Sequence, residues 1–146
     1  MNVGMGLGAV LSIAVSGMTA ASRRLEVSAS NVANALSSGP LPDADPAIQA
    51  RYPAAYVAQR VDQVETPGGG TIANVGPEDP GTVPIYDPGA PYADAKGMVA
   101  APNVDLTNEA VQQLLARVSF ASNAMVVRTY AEMMKTLLEV GQPSRR

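Results

Sequence analysis

The sequence predicts an α+β fold: long N- and C-terminal α-helices paired as a coiled-coil-like hairpin, with a small β-rich domain inserted between them. Three observations predict it. Eleven of the twelve prolines lie between Pro40 and Pro102, and eight of the thirteen glycines lie between Gly39 and Gly97, so helix breakers gather in the middle of the chain. Apolar residues in both end segments recur at alternating steps of four and three, the helical seam period. The middle instead offers short β-branched runs separated by turn pairs. The expected organisation is an N-terminal helical segment over 1–38, a Pro/Gly-rich insert and linker over 39–102, and a C-terminal helical segment over 103–146.

In the first segment Leu7, Leu11, Ala14, Met18, Ala21, Leu25, Ser28, Val32 and Ala35 fall at steps of 4, 3, 4, 3, 4, 3, 4 and 3. This is a heptad seam held for about four heptads, on a helix about 48 Å long from near residue 5 to residue 36. Ser37-Ser38-Gly39-Pro40 is expected to end it, with Gly39 as a left-handed cap and Pro40 as the stop. Asn31 and Asn34 sit late in this helix, where asparagine is a poor former. Two readings stay open: exposed polar positions near a fraying end, or amides that bond neighbouring backbones or subunits.

The last segment opens at "PNVDLTNEAV". Asp105 is placed to accept the free N–H groups of a first helical turn, and Glu109 suits the positive end of the helix dipole. Val111, Leu114, Val118, Ala121 and Met125 form one stripe. Phe120, Ala124, Val127, Ala131, Met134 and Leu138 form a second. Gly141 and Pro143 are expected to close the helix. Two adjacent stripes call for two partners, or one partner met over a wide face.

The middle reads as three or four strands. Residues 54–66 carry a strand-like run, and "GGGTIANVG" and "GTVPIYD" read as short strands around turns. "YDPGAPYADAKG" is a turn-rich loop. Residues 39–50 are expected to be mobile.

Composition narrows the function classes. The chain has no cysteine and no histidine, which removes thiolate chemistry and the commonest general base and metal ligand. A net charge of −3 argues against nucleic-acid binding. "TPGGGT" lacks the Lys-Ser/Thr pair and the helix of a phosphate loop and is expected to be a hairpin turn. The acidic residues Asp43, Asp45, Glu78, Asp79, Asp87 and Asp94 lie in proline- and glycine-rich turns, where Asx turns and solvation are their usual roles. No catalytic constellation, cofactor site, metal site or small-molecule substrate site is expected, so an enzyme is not predicted. The first 22 residues carry no charge. A signal peptide would need a basic start, and glycines and hydroxyl residues dilute the run as a membrane span. A membrane-anchored or membrane-active protein using residues 5–21 is the alternative reading.

The surplus of apolar stripes has a direct consequence. A lone two-helix hairpin buries little and is marginal, so other chains are expected to cover what it leaves wet.

The motifs also carry a resemblance. "SIAVSGMTAASRRLEVSASNVANALSSG" resembles the N-terminal signature of the flagellar axial proteins, the rod and hook family, with Asn31, Ala33, Asn34, Ala35 and Gly39 on the motif. "NAMVVRTYAEMMKTLLEVGQ" is similar to that family's closing helix. "YDPGAPYADAKGMVAAPNVDLTNEAV" resembles a stretch of its proximal rod members, through Asp87, Pro88, Gly89, Pro91, Ala93, Asp94, Gly97, Val99, Ala100, Pro102, Asn103 and Val104. The resemblance implies a structural subunit of the bacterial flagellar basal-body rod, exported through the flagellar type III apparatus without a cleaved signal and located in the periplasm-spanning rod. It implies polymerisation through the terminal helices, which line the export channel and transmit torque. The implied partners are further copies, other proximal and distal rod subunits and the junction protein of the export gate and MS ring. The implied assembly surface comprises Leu7, Leu11, Ala14, Met18, Ala21, Leu25, Asn31, Val32, Asn34, Val111, Leu114, Val118, Ala121, Met125, Val127, Met134 and Leu138.

Overall fold

A computed structural model describes residues 3–141, with residues 3–5 and 7 described by backbone alone. Helix α1 spans Val3–Asn34 and helix α3 spans Leu106–Val140; between them lie a six-residue helix α2, Pro46–Arg51, and four strands: β1 Gln59–Glu65, β2 Thr71–Pro77, β3 Thr82–Tyr86 and β4 Met98–Pro102. The fold is therefore α+β, with the long terminal helices packed on one another and the β region inserted between them in sequence.

The helices are antiparallel. Ser28, near the end of α1, donates to the backbone oxygen of Glu109, near the start of α3, at 3.1 Å. Eleven residues back along α1, Gly17 faces Asn123: a Cβ on Gly17 would sit 2.7–2.8 Å from the Asn123 amide. Such an approach needs small side chains, and Ala14, Ala20, Ala21 and Ala116 are all buried here. Asp105 caps α3 as its sequence position predicts, accepting from the N–H groups of Thr107 and Asn108. Gly141 follows α3 in a right-handed conformation; Pro143 lies outside the described residues.

The insert consists of two separate antiparallel pairs, β1 with β2 and β3 with β4. The "TPGGGT" turn joins the first pair in hairpin fashion, with Gly68, Gly69 and Gly70 all at φ between +93° and +99°, a region that L side chains rarely occupy. This turn and the start of β2 rest on α1: Ser16 Oγ accepts from the Thr71 N–H at 3.1 Å. In the second pair, Val99, Ala100 and Ala101 of β4 are buried. The loop before β4 turns on Asp94, whose carboxylate accepts from the N–H groups of Lys96 and Met98. Asp45 caps α2 through the Ala47 N–H. Both acidic residues thus hold turns, as their setting predicts.

Three expectations need correction. Helix α1 stops at Asn34, two residues early, and Gly39 is not a left-handed cap, since its φ is not positive. Gly39 instead pairs with Ala100 in an isolated bridge, with N···O distances of 3.0 and 2.9 Å. The stretch expected to be mobile, 39–50, is built into the insert by this bridge and by α2. Strand β4 falls where no separate strand was expected.

Gly39 is required for room rather than for backbone freedom. A Cβ there would lie 2.6 Å from the Pro53 oxygen and 2.8 Å from the Ala54 carbonyl carbon, and backbone has no rotamer with which to yield. Gly39→Ala is therefore expected to cost about 2 kcal/mol or more in urea unfolding of the full chain. Gly76→Ala, where the added carbon meets nothing within 4 Å, is expected to stay within about 0.5 kcal/mol of the parent.

Candidate assembly interface

The fully buried apolar positions of α1 and α3 are small, and many of the large apolar side chains face outward. The half-buried or buried positions of α3 are Glu109, Gln112, Gln113, Ala116, Ser119, Asn123, Ala124, Val127, Tyr130 and Met134, which step around the helix at its own period. The stripe of Val111, Leu114, Val118, Ala121 and Met125 is exposed along its whole length. It lies roughly 180° around the helix axis from the seam. Leu115, Val126, Met133 and Leu137 are exposed as well, on a flank roughly 90° from that stripe. From the second stripe, Ala124, Val127 and Met134 turn towards α1's side, while Phe120, Ala131 and Leu138 stay exposed.

Helix α1 divides in the same way. Ala14 and Ala21 are buried, and Leu11 and Met18 are half-buried. Leu25 and Val32 remain exposed, as does Val15. The buried face of α1 is rotated from the expected heptad line because it serves two neighbours: α3 on one side and the β1–β2 hairpin on the other. Ala20 and Val27, which the heptad line omits, are buried by this double contact. The side chain of Leu7 lies outside the described residues.

The two asparagines part company. Asn34 donates to the Ser30 oxygen within its own helix. Asn31 is buried, and its bonds lie within the chain. Its Nδ2 donates to the Gln59 oxygen at 2.7 Å and to Glu109 Oε1 at 2.6 Å. Its Oδ1 accepts from the Gln59 N–H at 3.0 Å and the Tyr56 hydroxyl at 3.1 Å. The expectation of an amide that bonds a neighbouring backbone describes Asn31, whereas Asn34 is half-buried and bonds within its own helix, so it is not the exposed position of the other reading. Sequence reading missed Tyr56, Gln59 and Glu109 as its partners; only the buriable carboxylate one turn into α3 hinted at any of them.

The described residues contain no cluster of three or more acidic, His or Cys residues able to hold a metal, and no helix long and apolar enough to cross a membrane. The site is thus an apolar surface on a helical hairpin, with a polar joint at its inserted end.

Comparison with known proteins gives this architecture its class. Residues 11–38 match the family model described as flagella basal body rod protein, and residues 95–140 match the C-terminal model of the flagellar basal body rod FlgEFG proteins. These are the two helical ends with β4, and they define a flagellar basal-body rod protein. Over 135 residues, covering 91% of this chain and 96% of the relative, the chain is 39% identical to the flagellar basal-body rod protein FlgC of Escherichia coli O6:H1. It is 39% identical over the same span to FlgC of Salmonella typhimurium, and 32% identical over 139 residues to FlgC of Agrobacterium fabrum, covering 95% of this chain and 98% of that relative. The chain belongs to the FlgC family of flagellar basal-body rod proteins, and is a structural component of the flagellar basal body.

The packing reverses the usual ranking of substitutions. Leu114→Ser, on the outward stripe at 62% exposure, is expected to leave the unfolding free energy of the dilute chain within about 0.5 kcal/mol. Ala116→Leu, at 1% exposure, is expected to lower it by about 1–3 kcal/mol by forcing the helices apart. Equilibrium urea denaturation monitored by far-UV circular dichroism checks both.

Proposed function

We propose that this chain polymerises through its helical ends. In this reading segments 1–38 and 103–146 pack as an inner helical layer around the export channel, and segment 39–102 lies outside it. Neighbours cover the exposed stripes: Leu25 and Val32 on α1, and Val111, Leu114, Val118, Ala121 and Met125 on α3, with Leu138 toward the far end. The partners are further copies and other rod subunits, and the interlocked helices carry torque. Export precedes assembly and needs no cleaved signal.

The observation that carries the reading is the continuous outward apolar stripe of α3, on a chain of a rod-protein family. Fully burying one Leu or Val side chain contributes about 1.5–3 kcal/mol, so a neighbour seated on several of them gains far more than this chain obtains from its alanine seam. Ala14, Ala21 and Asn31 are already enclosed within the chain and act by shaping the hairpin that presents the stripes. Head-to-tail contacts of this type repeat without closing, and so build a filament.

Burial within the chain is uneven. Ala116 is the last buried position of α3, so the half of the hairpin far from the insert relies on little of its own. Hydrogen exchange of the dilute chain is expected to be fast over residues 125–140 and slow around Asn31 and Glu109, with residues 125–140 becoming protected in isolated basal bodies. Equal protection of residues 125–140 in both states would overturn the reading. The double variant Leu114→Asp/Val118→Asp is expected to fold as the parent does and to abolish rod assembly and motility in complementation.

A further inference from the structure

The amide of Asn31 has two donor hydrogens and two acceptor positions, and all four are taken. Gln59 of β1 supplies both an acceptor and a donor from its own backbone, so Asn31 seals the outer edge of that strand as a neighbouring strand residue would. Tyr56, in the segment leading to β1, supplies the third contact and Glu109 of α3 the fourth. Two parts of the chain remote from α1 in sequence, the segment 56–59 and Glu109, therefore converge on one side chain that is 3% exposed. The orientation of the amide is also dictated. Turned over, its oxygen would face the Glu109 carboxylate and the Gln59 carbonyl, and its nitrogen would face the Gln59 N–H.

We propose that Asn31 is a latch coupling helix pairing to docking of the insert, so that closure of α3 on α1 fixes the pose of the β1–β2 hairpin. Glu109 makes its side-chain bond to α1, and reaches the insert through the Asn31 amide. With Glu109 in place the amide plane is held and presents the correct atoms to both groups of Gln59. Without it, one buried donor loses its acceptor and the amide is free to rotate away from Gln59. The two docking events share a single side chain, and their energies are therefore not additive. In an array, contacts that press α3 onto α1 tighten the grip on the insert through the same amide. The latch does not depend on the assembly reading, because every residue in it belongs to one chain.

Hydrogen exchange on the full-length chain tests the coupling. In Glu109→Ala, exchange across Gln59–Glu65 is expected to accelerate about tenfold, the effect of leaving a buried donor unpaired, although the substitution lies on a different element. Glu109→Gln retains an oxygen that accepts from Asn31, and is expected to stay within about twofold. Asn31→Ala is expected to accelerate both β1 and the first turns of α3, with the double variant Asn31→Ala/Glu109→Ala no faster at β1 than Asn31→Ala alone. Acceleration confined to α3 in Glu109→Ala, or additive effects in the double variant, would overturn the latch. Should Glu109→Ala fail to fold, Glu109→Met replaces it: it keeps the side-chain length without an acceptor oxygen, and β1 is expected to accelerate as in the alanine variant, whereas unchanged exchange at β1 overturns the proposal equally.

Discussion

Two helices approach only as closely as their smallest facing side chains allow, and the rest of this structure follows from that distance. Among the described residues, four of the five buried apolar residues on α1 and α3 are alanines and the fifth is Val27. Gly17 completes the close contact against Asn123. An alanine methyl removes little apolar surface from water, so each seam position contributes less than a leucine would. The large side chains, Leu114, Leu115, Met125, Leu137 and Leu138 among them, stand outside. A conventional globular domain has the opposite arrangement. The inversion gives a thin hairpin that holds its own shape at one end and offers apolar surface along its length.

The polar joint adds specificity at the inserted end of the hairpin, the end where burial within the chain is concentrated. Ser28, Asn31 and Glu109 are the three buried polar residues among those described, and they occur together where α1, α3 and β1 meet. Buried polar groups are tolerated when every partner is present. Here each is satisfied within the chain, which gives the joint directionality that methyl contacts lack. Alanines let the helices slide and rotate with small penalties, whereas a four-contact amide has a single acceptable geometry. The insert is thus held by hydrogen bonding to α1 at Asn31 and by the turn resting on Ser16, at two points along the helix.

Much of this was legible in sequence. Asp105 marks the start of α3 because a cap is a local event read from a few residues. The three-glycine turn and the proline-rich zone are equally local. What escaped depends on distant residues. Strand β4, "MVAAP", is composed largely of small residues with weak strand preference, and it forms because β3 and Gly39 flank it. Helix α2 is a single capped turn or so, too short for periodicity to detect. The rotation of the α1 seam away from Leu25 and Val32 could not be read from a heptad count, because a heptad count assumes one neighbour and α1 has two. The role of Asn31 was visible only as an anomaly, an asparagine within a helix. Its explanation needed Gln59 and Glu109, 28 and 78 residues away.

Within the proposed assembly, placing large apolar residues outside and small ones inside also sets what is left for neighbours. A chain with a leucine-rich internal core would bury its assembly surface against itself and resist both unfolding and rearrangement. An alanine seam gives weaker pairing of the two helices, so in the proposed assembly their distal halves remain available to neighbours. The constraint then falls on the insert, which must keep a defined position relative to helices that are themselves weakly paired. A joint built from one saturated amide meets that need, because it adds orientation without adding apolar burial. Weak seam, outward stripes and a specific polar joint are therefore three consequences of one choice of side-chain size.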